Sequence, residues 1–209
     1  ICLKTLELVP NTPRLLNLLA QIHYREDNYK TSLAYINKLE SVKNNLPKFV
    51  YEIKGNNLLK LNQKQKALEA FMRAFLKDNK DYTLCLKIAE LHLYFEEPDK
   101  ANKCLFIYER LRDTSMWQFN YLKGTAYMQL NEHRMAFYQL KKALDENVRH
   151  EDSRYYMAVA ADNFAEDKSY ALDYYTNYIE FFEDDKDSKY IELALRRETE
   201  IRRALFMKD

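Results

Sequence analysis

Glycine is nearly missing from this chain, at two in 209 residues, and proline contributes only four. So few turn formers cannot serve the many tight reversals of a β-sandwich or a barrel, which leaves a helical protein. Gly55 and Gly124 stand too far apart to build a P-loop or a dinucleotide fingerprint, both of which need clustered glycines against phosphate. Neither sign of charge dominates, with 33 Lys and Arg against 32 Asp and Glu, so no nucleic-acid or anionic-membrane surface is expected. No apolar run approaches ~18 residues, and membrane insertion of this segment is not expected. The chain opens at Ile1 with no leader pattern, as a trimmed piece would, and carries no label for cytoplasm or periplasm. Its three cysteines, Cys2, Cys85 and Cys104, include no C-x-x-C pair and give neither a zinc knuckle nor a disulfide framework. Cys85 and Cys104 would face each other across one helix pair, which leaves a disulfide open beside the commoner role of small buried hydrophobe.

What the chain does have is a period. Small residues stand twelve positions apart in pairs: Ala20 with Ser32, Gly55 with Ala67, Ala89 with Ala101, Gly124 with Ala136 and, more weakly, Val159 with Ala171. The pairs recur every 34 or 35 residues, the next step lands on Ala194, and both glycines fall at the same place in the period. Four residues before each small residue stands Leu16, Tyr51, Cys85, Tyr155 or Tyr190, with Asn120 the departure. Sixteen residues after it comes Ile36, Phe71, Leu105, Leu140 or Tyr175. Each unit reads as two amphipathic helices of about 12 to 15 residues, apolar at i, i+3 and i+4 and joined by a short polar turn. Those turns are Glu26-Asp27-Asn28, Leu61-Asn62-Gln63, Glu96-Glu97-Pro98, Asn131-Glu132 and Glu166-Asp167. Thr12 before Pro13 marks the first helix start, and Asp81, Ser115, Asp152 and Ser188 offer later caps.

The period predicts helix pairs over 13–47, 48–81, 82–116, 117–151 and 152–187 and a closing helix over 189–208, while 1–11, through Leu6, Leu8 and Pro10, resembles the second helix of a preceding repeat, cut in half. One pair cannot cover its own apolar faces, so stability must come from stacking, and the last element needs a wet outer side. In the closing helix Tyr190, Leu193, Ala194, Ile201 and Leu205 can turn inward while Arg196, Arg197, Glu198, Glu200, Arg202 and Arg203 stay in water. The cut repeat at the start would leave apolar surface through which a homodimer could form.

In this register the sequence resembles the tetratricopeptide repeat (TPR) family, and its composition resembles bacterial members. That pattern asks for Gly or Ala at the eighth position, a large residue at the eleventh and twenty-fourth, and Ala at the twentieth and twenty-seventh. Gly124, Tyr127, Ala136, Leu140 and Ala143 fit it, as do Gly55, Leu58, Ala67, Phe71 and Ala74. His23 and His92 stand at the eleventh position of their repeats, and the last repeat, with Val159 and Asp162, is the most divergent. The resemblance implies an all-α, right-handed α-solenoid of about five TPR helix pairs with a C-terminal capping helix.

Site chemistry was sought and not found. No H-E-x-x-H occurs, and a joint metal site of His23 and His92 would have to span ~20 Å across stacked helix layers, so core or groove-edge roles are expected for both. His150-Glu151-Asp152 sits where one repeat turns into the next and reads as capping. The acidic run Glu183–Asp187 lacks the central glycine of a calcium loop. No nucleophile with an orienting base is apparent. No catalytic residue, cofactor or metal is therefore expected. Tyrosines such as Tyr155, Tyr156, Tyr174, Tyr175 and Tyr178 could stack nucleic-acid bases, but without a basic groove they read as packing, and no nucleic-acid partner is expected. A helical repeat of similar period that reads RNA base by base is the rival on period alone.

The resemblance implies that an extended peptide or partner protein lies in a concave groove walled by the first helix of each pair. Carried over position by position, the groove residues are Arg14, Asn17, Gln21 and Arg25, with Tyr24, then Glu52, Asn56 and Lys60, then Glu90 and Tyr94. Tyr121, Thr125 and Gln129 follow, with Met128, then Tyr156 and Asn163, with Ser153, Ala160 and Phe164. Arg14, Arg25 and Lys60 make the early end cationic and later tyrosines make the far end neutral and aromatic, which predicts a ligand acidic at one end and apolar beyond. The family's carboxylate clamp is absent in its usual form, since its places hold Asn17, Gln21 and Ile53. A protein-interaction scaffold is the leading expectation. The alternative is a sensory or regulatory segment of a larger signalling or cell-envelope protein, and an enzyme comes third.

Overall fold

The computed structural model describes residues 12–111, 116–185 and 187–207, and its chain forms two compact units, Ile1–Leu91 and His92–Asp209. Unit 1 holds α1 (Pro13–Arg25), α2 (Tyr29–Val42), α3 (Lys48–Lys60), α4 (Lys64–Lys77) and most of α5 (Tyr82–Tyr94). Unit 2 takes the end of α5 and continues with α6 (Pro98–Leu111), α7 (Trp117–Gln129), α8 (His133–Glu146), α9 (Glu151–Phe164), α10 (Lys168–Phe182) and α11 (Ile191–Phe206). No strand occurs among the described residues. The half-repeat expected at 1–11, Cys2 and the cap expected at Ser115 lie outside them.

Helix pairs approach closely because the residues at the crossing are small. Ala20 and Ser32 in unit 1, and Ala136 and Ala171 in unit 2, are at most 1% exposed. A Cβ on Gly55 would lie 2.5–2.7 Å from the Phe71 ring, and one on Gly124 would lie 2.8 Å from Leu140 Cγ. Ser32 also satisfies polar groups in the seam: its hydroxyl donates to the Ala20 carbonyl at 2.7 Å and accepts from Asn57 Nδ2 at 2.8 Å. Asn120, the departure from the apolar pattern, is 2% exposed and donates to Glu146 Oε1 at 3.0 Å.

Four turns between paired helices share one backbone solution. Asp27, Asn62, Glu96 and Asn131 sit at φ 56°, 56°, 56° and 59°, in the left-handed region. The next residue's N–H then reaches back to the carbonyl five positions earlier: Asn28 to His23, Gln63 to Leu58, Glu97 to His92 and Glu132 to Tyr127, at 2.8–2.9 Å. This is the Schellman closure, made here without glycine, so each turn carries a conformational cost that Asn and Asp bear better than Glu. The fifth turn departs: α9 ends in extended backbone at Ala165, and Asp167 caps α10 through Ser169 N at 2.9 Å.

The last pair corrects the sequence register. Val159 was expected at the crossing, but Ala158 is fully buried and Val159 only half-buried. The reason is at the helix start: α9 begins one residue early, at Glu151, because His150 rather than Asp152 caps it, accepting from Ser153 N at 3.3 Å. Ser153 and Ala160, expected on the groove wall, are consequently 0% exposed.

α11 closes unit 2. Ala194 and Ile201 turn inward as expected, but Leu193 is 45% exposed. Arg197, expected in water, instead holds the largely buried Asp162 through Nε at 2.6 Å, with Lys168 Nζ at 3.1 Å. Burial alone would raise the Asp162 carboxyl, but these cations outweigh it and keep it below its ordinary range. Ser188 does not cap α11. With Tyr178 OH and Lys189 N it donates to Glu151 Oε1, at 2.7–2.8 Å, tying the link before α11 to the start of α9.

Glu96→Gly should raise the unfolding free energy by about 1 kcal/mol, read as a higher urea midpoint at unchanged slope, while Asn62→Gly should gain only a few tenths. Gly55→Ala should lower stability by about 1–3 kcal/mol despite better helix propensity, because the added methyl overlaps a ring that is itself fully buried.

Candidate functional site

On unit 1, Arg14, Asn17, Gln21 and Tyr24 follow one another at helical spacing and form a stripe along α1. Gln21 Nε2 donates to Asn17 Oδ1 at 3.2 Å. Asn56 on α3 joins the neighbouring first helices: its Nδ2 donates to Tyr24 OH at 3.3 Å, and its Oδ1 accepts from Lys87 Nζ of α5 at 3.2 Å. Lys87 was not among the sequence-predicted site residues. Its ammonium also lies 5.2 Å from the Phe71 ring centroid. Arg14, Arg25, Lys60 and Glu90 are exposed, and among the described residues none has an ion pair. Glu52 is half-buried beside Lys48 Nζ at 3.7 Å, and that lysine is drawn more closely to Asp81 at 2.6 Å.

Unit 2 presents a different surface. Tyr94 is 58% exposed, while Gln129 Nε2 donates to the Leu93 carbonyl at 2.9 Å. Thr125 donates to the Tyr121 carbonyl at 3.0 Å and Asn163 to the Val159 carbonyl at 2.8 Å, so both polar groups are engaged within their own helices. Tyr121 OH reaches Asp152 Oδ2 at 3.3 Å. Asp152 Oδ1 accepts in turn from Tyr190 OH at 3.2 Å and Lys189 Nζ at 3.1 Å. Tyr190 stacks on Tyr155 at 4.3 Å between centroids and 4° between planes, and lies 5.7 Å from Tyr156. Tyr121 and Tyr156 are groove residues expected from the sequence, whereas Asp152 was expected as a cap and Tyr190 as an inward residue, and Lys189 was given no role. Recognising the early start of α9 would have placed Asp152 where Arg14 stands on α1, at the second position of its helix.

No family model and no curated protein matches the sequence. Solved structures do match the fold. YrrB, described as a TPR protein with an unusual peptide-binding site, superposes with a TM-score of 0.75 over 95% of this chain and 97% of its own at 17% identity. MamA from Desulfovibrio magneticus RS-1 gives 0.71 over 84% and 97% at 16% identity. The C-terminal part of a TPR repeat-containing protein from Cytophaga hutchinsonii gives 0.66 over 95% and 87% at 18% identity. The fold is that of the tetratricopeptide repeat.

The TPR architecture accounts for the histidines and thiols. His23 stacks on Tyr35 at 5.5 Å, and His92, 6% exposed, sets Nδ1 2.7 Å from Glu97 Oε2. Among the described residues no cluster of three His, Cys, Asp or Glu could hold a metal ion. No described helix is long and apolar enough to cross a membrane. Cys85 and Cys104 are not joined by a disulfide, which removes the one considered from sequence, and burial pushes the Cys104 thiol above its ordinary pKa. Tyr175 and Tyr178 are packed in the core rather than displayed.

His150 supports the aromatic surface from beneath, packed between Trp117 at 4.5 Å and Tyr121 at 4.6 Å. Burial pushes its imidazole below the ordinary value, and the cap uses Nδ1 as an acceptor. The unfolded chain thus binds the proton more readily. The cap's contribution is complete above the unfolded pKa of ~6.5 and is lost as pH falls through the lower folded value. Urea midpoints should fall between pH 7.5 and pH 5, and His150→Asn, which caps without titrating in this range, should flatten that part of the profile.

Proposed function

We propose that this chain is a non-enzymatic protein-interaction scaffold that holds an extended peptide, or an extended segment of a partner protein, against the exposed faces of its first helices. The observation that carries the reading is the hydrogen-bonded chain Tyr24–Asn56–Lys87, which joins three successive first helices of unit 1, the first of which also carries the exposed cations Arg14 and Arg25. Side-chain amides offer both a donor and an acceptor to a ligand's backbone, so Asn17, Gln21 and Asn56 can pair with an extended strand whatever its sequence. Because Asn56 is already fixed from both sides, little rotamer entropy remains to be lost on binding. Exposed guanidiniums that pair with no carboxylate among the described residues favour a ligand carrying one. The likeness to YrrB, whose description includes a peptide-binding site, supports the same reading.

The test uses fluorescence anisotropy with labelled nine-residue peptides bearing Asp or Glu at one end and apolar residues beyond. Arg14→Glu with Arg25→Glu should weaken binding about tenfold, or about 1.4 kcal/mol, and flatten its dependence on salt. Equal affinity in the charge-reversed chain would refute the acidic-ligand polarity, and failure of every such peptide to bind would refute the scaffold reading for this face.

A further inference from the structure

We propose that Asp152 and the tyrosines around it form a seat on unit 2 for an arginine side chain of a peptide ligand, and that Lys189 occupies that seat in the free chain. The inference rests on reading the first-helix faces as peptide-binding, and it adds a second ligand chemistry opposite in charge to the one proposed for unit 1.

The seat is built from three elements. Asp152 stands in the first turn of α9, Tyr121 comes from α7, and Lys189 and Tyr190 come from the link before α11. Both carboxylate oxygens are oriented by phenols, Oδ2 by Tyr121 at 3.3 Å and Oδ1 by Tyr190 at 3.2 Å. Stacking on Tyr155 in turn fixes the Tyr190 ring. The Asp152 side chain is 21% exposed, and its Oδ1 also meets the chain's own ammonium.

Lys189 fits that place only loosely. Among the described residues its ammonium makes one hydrogen bond, to Oδ1 at 3.1 Å, and its side chain is 62% exposed. An exposed ion pair of this kind contributes little, so replacing it by another cation is almost free. Arginine would gain from the exchange, because its planar fork can engage both carboxylate oxygens and lie against tyrosine faces, neither of which a point-like ammonium does as well. Tyr190, whose hydroxyl reaches the carboxylate, and Tyr156, whose ring centroid lies 5.7 Å from that of Tyr190, are the aromatic groups of the seat.

Titration calorimetry of the full chain would use the capped pentapeptide Ala-Ala-Arg-Ala-Ala and its citrulline counterpart, which keeps the shape without the charge. Lys189→Met, which keeps the stem and removes the competitor, should tighten the arginine peptide at least threefold. Asp152→Asn, whose amide oxygen can still accept from the phenols, should abolish binding, and citrulline should not bind to any form. If Lys189→Met merely lowers the melting temperature with no gain in affinity, or if binding survives Asp152→Asn, the proposal is overturned. An arginine peptide that binds neither the unaltered chain nor Lys189→Met also overturns it. Should the acidic peptides of the preceding section still bind, this inference falls alone, whereas loss of both removes the scaffold reading with it.

Discussion

A phenyl ring where a side chain would otherwise begin sets the geometry of the second helix pair. Phe71 fills the space that a Cβ on Gly55 would need, and Leu140 does the same at Gly124. Helices that cross on glycine or alanine bring their backbones close, and the large residue of the facing helix then packs over the crossing rather than beside it. The second helix covers one side of the first, which leaves the opposite side free to present polar groups. The display of Asn17, Gln21 and Asn56 on unit 1 is therefore a consequence of small residues that themselves touch no solvent.

Close crossings leave little room for water, and several polar groups within them bond one another. Ser32 is small enough for its crossing and also bonds both the Ala20 carbonyl and Asn57. Asn120 finds Glu146. The turns obey the same economy by closing on their own backbone, at the cost of four non-glycine residues in left-handed conformation.

The two units carry unlike chemistry on equivalent helices. At the second position of the first helix, unit 1 has an exposed Arg14, whereas unit 2 has Asp152 held by two phenols and an ammonium. An amide-rich, cationic face and an aromatic, carboxylate-bearing face suit different side chains.

The helix pairs, their turns and the positions of most crossings were legible from the sequence, because close backbone approach admits only small residues and so prints a period of 34 or 35. The same rule was blind at α9. In the run Ala158-Val159-Ala160-Ala161 every residue is small enough for the crossing, and only the cap contributed by His150 chose among them. Hydrogen-bonded partners were equally invisible. Lys87 and Asn56 lie 31 residues apart, and Lys189 and Asp152 lie 37 apart, separations at which no local pattern links one side chain to another. Periodicity is a property of each helix and its nearest neighbour, and the sequence alone determined it. Which charge meets which carboxylate depends on how successive helices are brought together, and only the tertiary structure decided that.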